Sequence, residues 1–286
     1  MLPEIKLCIL VHQIGPYHHA RFNAIAQLFD LVVVEIRSQS NEYYWTDLSH
    51  GKAEYENIKI SNIKDLKNFY QNNTFDMFYT YGWNEIEYLH TFYHALNQNK
   101  PVVMGSDSTE ISAKWNFIKH GIKKVIAKSI DGFHVAGTLS KEYVSFYNKK
   151  APIQYYFDVV DNRHFAQDVR CEKENYLLCV ARLIPKKNIK TLIEAIYSIQ
   201  QDIINNNIRC LIIGSGELSQ ELHNLIDRLS LNDVIKIEPW KSYDELPVYY
   251  HKAQGLIIPS QYDETWGLVV NEAMAAGLPI LASKKC

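Results

Sequence analysis

Residues 259–279 read "PSQYDETWGLVVNEAMAAGLP". The run just before it, "GLIIPS" (255–260), is apolar and branched and stops at a proline, the mark of a short buried strand. From Gly267 the spacing turns helical, with Val269, Ala273 and Ala276 on one face. Gly277 stands where a helix takes a left-handed cap, and Pro279 forbids continuation. "PILAS" (279–283) then reads as another strand. Strand, loop, helix, strand is the repeating unit of a parallel α/β sheet, so this stretch decides the fold class.

Two acids stand out in it. Glu264 falls in the loop after a strand end, and Glu272 about one and a half turns into the helix. Ligands of open α/β sheets bind at the carboxyl ends of the strands. Amides around Trp266 to Val269, at the helix start, are donors with a positive dipole end, suited to phosphate. An acid on each side of an anion site makes sense if the ligand also carries hydroxyls, as ribose and hexose do. The plainer alternative is a solvated loop acid at 264 and a lysine-paired acid at 272.

The same alternation runs outward along the chain. "IKLCILVH", "DLVVVEI", "DMFYTYG", "PVVMGS" and "GFHVAG" read as strands in the first half, with helices "YHHARFNAIAQLF" and "EIEYLHTFYHALNQ" between them. "NYLLCVARL", "IRCLIIGSG" and "VIKIEPW" are strands of the second half, separated by helices "IKTLIEAIYSIQ", "LSQELHNLIDRL" and "SYDELPVYYHKA". Two βα series predict two doubly wound, Rossmann-like domains, over 1–160 and 171–286. The least periodic segment, 155–174, is the expected linker.

Composition excludes several classes. At 286 residues, 47% hydrophobic and 22% charged, the chain is of ordinary globular make-up, and a net charge of −2 predicts no nucleic-acid footprint. The five cysteines have no metal spacing, and Cys8, Cys179 and Cys210 sit inside apolar strands, as buried thiols do. A reducing, cytoplasmic setting follows. No apolar run approaches the roughly 20 residues of a membrane span. The N-terminus reads as a core strand rather than a signal peptide.

Other strand ends of the second half carry chemistry too. Arg182 follows "YLLCVA", and Lys187 comes five residues later, with Asn188 placed to cap the next helix. Both cations can face an anion at the sheet's carboxyl edge, the arginine as a fork and the lysine as a point charge; the alternative is two ordinary surface cations. After "CLIIG" comes a Ser215-Gly216 turn suited to a nucleotide edge. A dinucleotide site competes for "GSGELS", with Glu238 as its ribose acid. Ser219, however, replaces the third glycine, and the motif lies in the second βα unit rather than the first.

"VARLIPKKN", "IIGSGE" and "PSQYDETWGLVVNEAMAAGLPILAS", in that order, resemble the second domain of family 4 glycosyltransferases of the GT-B fold, whose E-x7-E signature matches Glu264 and Glu272. "GPYHHARFNAIAQLFDLVVVEI", "GSDSTE" and "FDVVDNRHF" are similar to a bacterial subgroup. The resemblance implies two Rossmann-like domains with the active site in the cleft between them, and a retaining transfer of sugar from a nucleotide-sugar donor. Arg182 and Lys187 would neutralise the leaving diphosphate, Glu264 would hold hydroxyls of the sugar, and Glu272 those of the ribose. Amides of Trp266, Gly267 and Leu268 would cradle sugar and phosphate, with Gly214 and Gly216 bordering the nucleotide. In the first domain, Gly15 would let the first loop approach the cleft, and Asp107 would stand near the reacting centre. Many family members place a histidine thereabouts. His12, His18 and His19 are further candidates for that cleft.

Glycosyl transfer passes through an oxocarbenium-like state as the diphosphate departs, and that charge needs stabilising. The sequence has no DxD-type pair, so two cations and a helix terminus are expected to serve, without metal or cofactor. The competing readings are a nucleotide-sugar-binding protein or inactive fragment without catalysis, an epimerase or hydrolase on the same fold, and an NAD-dependent enzyme. The segment 113–130 reads as a basic amphipathic helix with Lys114, Lys119, Lys123, Lys124 and Lys128 opposite Trp115, Ile118, Ile122 and Val125 or Ile126. Its plain role is core packing with a solvated lysine face; its sharper one is peripheral contact with anionic lipid at the inner membrane face, which suits a lipid-linked acceptor. The chain stops at "LPILASKKC", where the resemblance implies further elements, so the second domain is expected to be incomplete.

Overall fold

Leu7, Ile9 and Val11 point to one side of the first strand, and Cys8 and Leu10 to the other, yet all five are buried. A strand apolar on both faces needs cover on both, which parallel α/β sheets supply. The computed structural model describes residues 5–36, 53–109, 117–156, 158–167, 171–262, 264 and 266–285. They form two units, Met1–Asp158 and Val159–Cys286.

Unit 1 runs β1 (Lys6–Val11), α1 (Pro16–Ala26), β2 (Asp30–Glu35), β3 (Glu56–Lys59), α2 (Ile63–Asn72), β4 (Met77–Thr80) and α3 (Ile86–Asn97). It continues with β5 (Val102–Ser106), α4 (Phe117–Ile126), β6 (Gly132–Val135), α5 (Thr138–Tyr147) and β7 (Ile153–Tyr155). Its described strands make one parallel sheet in the order β3-β2-β1-β4-β5-β6-β7. One face buries Cys8, Leu10, Val34, Phe78, Met104 and Phe133; the other buries Leu7, Ile9, Val33 and Phe22.

Unit 2 runs α6 (Asn162–Phe165), β8 (Tyr176–Val180), α7 (Ile189–Ser198), α8 (Gln200–Asn205), β9 (Arg209–Ile213) and α9 (Ser219–Arg228). β10 (Ile235–Glu238), α10 (Leu246–Lys252), β11 (Gly255–Ile258), α11 (Leu268–Ala275) and β12 (Ile280–Ala282) complete it. The parallel order is β10-β9-β8-β11-β12. Cys179, Cys210, Ile212 and Ile235 pack under α7 and α9 through Leu192, Ile193, Ile196, Leu222 and Ile226. Cys8, Cys179 and Cys210 are free buried thiols; burial pushes the Cys179 thiol up to about 12.

In each sheet the strand order reverses once, beside β1 and beside β8. A crevice forms at such a switch point, outside the carboxyl ends of the strands. In unit 2 it lies between β8 and β11, flanked by the loops that carry Arg182 and Lys187 on one side and Glu264 on the other.

Several elements differ from the sequence reading. β3 and α2 fall in a stretch to which pattern assigned nothing. β3 (ENIK) is a solvated edge strand without an apolar run, and α2 starts at an Asn62 cap whose side chain accepts the Lys64 and Asp65 amides. The expected linker holds the end of β7 and all of α6, the latter capped by Asp161. The basic helix spans Phe117–Ile126 plus a tight turn at Ala127–Ser129; Lys114 and Trp115 lie outside the described residues.

Ile126 packs on the core and Lys124 and Lys128 are exposed, as expected, but three neighbours depart from the pattern. Ile122 and Val125 are exposed, at 53% and 69%. Lys123 points inward, with its ammonium 5.1 Å from the Trp83 ring, 5.5 Å from Tyr143 and 6.0 Å from Tyr147, and it donates to the Tyr143 hydroxyl at 2.7 Å. Aromatic faces and a phenol oxygen make up for the lost hydration, so a cation takes the place expected of an apolar residue.

Candidate functional site

The carboxyl edge of unit 2 is built where chain turns follow β8, β9 and β11. After β8 the backbone keeps pairing beyond the strand: the Ala181 amide bonds Ile213 O at 3.1 Å, and the Leu183 amide bonds Ser215 O at 2.9 Å. The two loops therefore run in contact, and this close approach explains the glycines. A Cβ on Gly214 would overlap the Ala181 carbonyl, and one on Gly216 the Leu183 carbonyl. Their first duty is to let the β8 and β9 loops meet, which fixes the backbone around the half-buried Arg182.

Pro185–Lys187 then makes a tight turn that ends in a left-handed Asn188 (φ 54°). Asn188 does not cap α7 through its side chain. Its amide nitrogen instead donates to Pro259 O at 3.1 Å, and Thr191 donates to its Oδ1 at 2.8 Å. The Gln261 amide bonds Lys186 O at 3.0 Å. These bonds tie the loop after β8 to the loop after β11, across the switch point.

On that bridge Lys187 and Glu264 meet. The lysine ammonium lies 2.5 Å from Glu264 Oε2, with side chains only 17% and 10% exposed. Ser260 donates to the same oxygen at 2.8 Å. Burial works against ionisation of Glu264, but the Lys187 hydrogen bond and charge outweigh it and hold the carboxyl below its ordinary range. An ionised acid and a cation thus stand together at the strand ends.

The helix that follows begins as expected. Gly267 (φ 75°) takes the left-handed conformation that glycine favours, and the first bond inside α11 runs from the Val270 amide to Gly267 O at 2.8 Å. The amides of Trp266, Gly267 and Leu268 precede it, at the positive end of the helix. The Trp266 indole donates to Asn271 Oδ1 at 3.2 Å.

Glu272 differs from Glu264 in setting. It is 1% exposed, and its Oε2 accepts the hydroxyl of the fully buried Tyr250, joining α10 to α11. The structure therefore brings Lys187 and Glu264 together and buries Glu272 against Tyr250. Glu238, the acid of the competing dinucleotide reading, pairs with Lys236 at 2.7 Å and Lys241 at 3.0 Å.

In unit 1 the corresponding edge gathers the loop after β1 and the ends of β4 and β5. Gly15 is buried in extended backbone (φ −110°), so conformation does not demand glycine there; its amide donates to His18 Nδ1 at 3.2 Å. Burial, helped by the Arg21 charge, lowers His18 to about 4. His19 is buried against Tyr55, 3.0 Å from its hydroxyl, and His12 is half-buried at the end of β1. Asp107 is exposed just past β5; burial chiefly, and then Asp107 and Asp158, push the Tyr156 phenol up.

Sequence reasoning passed over Arg21, Ser260 and Tyr250. Arg21 Nη1 donates to the Tyr81 hydroxyl at 3.2 Å, Nη2 pairs with Asp158, and the guanidinium lies 6.0 Å from the Tyr156 ring. The only signal in sequence was a lone full charge in a helix that otherwise carries none. Two grooves among the described residues lie elsewhere, one of 420 Å³ beside Phe146 and Tyr155, the other of 680 Å³ beside Tyr176 and Tyr249. Among the described residues no three His, Cys, Asp or Glu side chains converge, and no helix is long and apolar enough to cross a membrane.

Two doubly wound parallel sheets are the architecture of GT-B glycosyltransferases, and solved glycosyltransferases superpose on this chain. A glycosyltransferase from Rickettsia africae superposes with a TM-score of 0.75 over 99% of this chain and 80% of its own, at 13% identity. Anabaena HepE, solved in complex with UDP and glucose, gives 0.71 over 98% and 81%, at 14% identity. Residues 160–286 match the family Glycosyl transferases group 1, a match that falls on unit 2. The O-antigen chain mannosyltransferase of Salmonella typhimurium is 31% identical over 150 residues, 52% of this chain and 40% of that protein. The GDP-mannose-dependent alpha-(1-6)-phosphatidylinositol monomannoside mannosyltransferase of Mycobacterium tuberculosis is 27% identical over 180 residues, 56% and 46% respectively. The matched stretch thus spans less than half of either relative.

Proposed function

We propose that the chain is a retaining glycosyltransferase of family 4 type. It takes a sugar from a nucleotide-sugar donor and gives the glycoside, a nucleoside diphosphate and a proton. The observation that carries this is the Lys187–Glu264 pair across the β8/β11 switch point, beside the start of α11. A cation and helix amides can take the charge of a leaving diphosphate, and an ionised acid next to them can take sugar hydroxyls. Arg182 adds the second cation. Gly214 and Gly216 hold the nucleotide edge, and Trp266, Gly267 and Leu268 the phosphate end. Glu272 takes the ribose hydroxyls, for which its carboxylate has to be uncovered when nucleotide binds. Asp107 and Gly15 belong to the acceptor side in unit 1. No metal or other cofactor takes part.

The separate roles of the two acids give the test. Glu272→Ala weakens binding of free UDP or GDP, whereas Glu264→Ala weakens only the intact nucleotide sugar, read by isothermal titration with both ligands. The reverse pattern would mean that the roles are exchanged, and no effect on either ligand would sink the assignment. The acceptor is a glycan, a lipid-linked sugar or a small molecule. The enzyme is cytoplasmic and held at the inner membrane face through the 113–130 segment; contact with the membrane is supported by Ile122 and Val125, which stand exposed on the segment that also exposes Lys124 and Lys128. Co-sedimentation with phosphatidylglycerol vesicles at low salt tests that contact, and protein that stays in the supernatant refutes it.

A further inference from the structure

We infer that Ser260 is a positioning residue for donor recognition, setting the rotation of the Glu264 carboxylate so that Oε2 is kept inside the protein and Oε1 is left for a sugar hydroxyl. The inference rests on the donor-site reading of Glu264 given above.

A carboxylate at the end of a glutamate turns about a broad, nearly two-fold torsion, so a single donor leaves its plane loosely defined. Lys187 is such a donor: an ammonium on a flexible stem, attractive but without direction. Ser260 supplies the second contact, on the same atom, at 2.8 Å against 2.5 Å for the lysine. Two donors arriving on one oxygen from different chain segments fix the plane, and Oε1 carries neither of these bonds.

The serine is itself held. It is 1% exposed, two residues past β11. Its carbonyl accepts the Ser283 hydroxyl at 2.5 Å, and the Ser283 amide bonds Ile258 O at 2.9 Å. On its two sides, Pro259 O accepts from Asn188 at 3.1 Å, and the Gln261 amide bonds Lys186 O at 3.0 Å. The loops after β8, β11 and β12 thus brace one hydroxyl against one carboxylate oxygen. A buried hydroxyl is costly unless bonded, and this one donates to the acid proposed to read the sugar.

The test is titration of the full chain with UDP-glucose and UDP, and with GDP-mannose and GDP, comparing wild type, Ser260→Ala, Glu264→Ala and the double variant. Ser260→Ala should lose affinity for the nucleotide sugar that wild type binds by about 3- to 10-fold, the worth of one hydrogen bond. Its affinity for the matching nucleoside diphosphate should stay within about 2-fold, which also reports an intact fold. The double variant should be no weaker than Glu264→Ala alone, because the serine acts through the glutamate. Equal losses for diphosphate and nucleotide sugar would mark a general structural defect and overturn the inference. So would losses that add in the double variant, or a Ser260→Ala protein that binds like wild type while Glu264→Ala does not. If Glu264→Ala itself keeps full nucleotide-sugar affinity, or wild type binds neither pair, the donor-site reading fails, and the inference with it.

Discussion

Replacing Lys187 by methionine removes the charge at the switch point while keeping most of the side-chain volume. In the wild-type protein the ammonium is 2.5 Å from Glu264 Oε2, and both side chains are largely shielded from water. A charge-assisted hydrogen bond of this kind carries roughly 1.5–3 kcal/mol. Two losses should follow. The fold should weaken, because Glu264 keeps its charge without the lysine that balances it, Ser260 alone of the two donors staying on that oxygen. Binding of UDP or GDP should weaken too, because the diphosphate loses a cation; at roughly 1.5–3 kcal/mol this is about 10- to 150-fold in Kd. Adding Glu264→Gln separates the two. The neutral amide no longer needs a cation, so the urea midpoint should recover most of its drop, while diphosphate affinity should stay low. Isothermal titration and urea unfolding of wild type, both singles and the double variant read both quantities. Unchanged diphosphate affinity in Lys187→Met, or its full recovery in the double variant, would refute the idea that this lysine meets the phosphates.

Three further outcomes are expected. Gly214→Ala should destabilise unit 2 by about 3 kcal/mol or more, since the added Cβ meets backbone that cannot move aside; a urea midpoint close to wild type would show that the β8 and β9 loops can separate. Lys123→Met should cost unit 1 about 1–2 kcal/mol by emptying its cage of rings, and a stability gain on this change would mean that packing outweighs the cation. His18, lowered to about 4 by burial and then by the Arg21 charge, stays neutral in the fold while the unfolded chain takes up a proton near its ordinary value of about 6.5. Its contribution is therefore present above pH 6.5 and lost as pH falls from about 6.5 towards 4; a His18 resonance titrating near 6.5 in folded protein would contradict it.

Strands were legible wherever both faces are apolar, as in "KLCILV" and "LLCV", because such runs admit few other structures. β3 was not, because an edge strand with solvated side chains carries no hydrophobic signal. The α4 helix was placed, and Ile126 lies inward as read, but hydrophobicity alone puts Ile122 inside and Lys123 outside, whereas a lysine above three aromatic rings reverses both. Lys187 and Glu264 could be read from their places after strands, which topology then brings together. Asn188 could not, since a left-handed turn decides whether it caps a helix or reaches another loop. Ser260 and Tyr250 stayed hidden because a lone hydroxyl in an apolar run looks the same whether or not an acid stands behind it.

The strand order of unit 2 also bears on how the protein is made. β8, β9 and β10 pair with near neighbours and can assemble as the chain emerges. β11 has to return past them to dock on the far side of β8, and Lys187 and Glu264 are separated by 77 residues. Closing a loop of that size costs on the order of 4 kcal/mol of chain entropy, none of which is repaid until the late strand is seated. The acid and the cation are therefore strangers throughout the early history of the molecule. A ribosome-bound or refolding chain with its first three strands of this unit in place has no such pair, and ligand affinity should rise only once β11 docks on β8, making nucleotide binding a clock for that step.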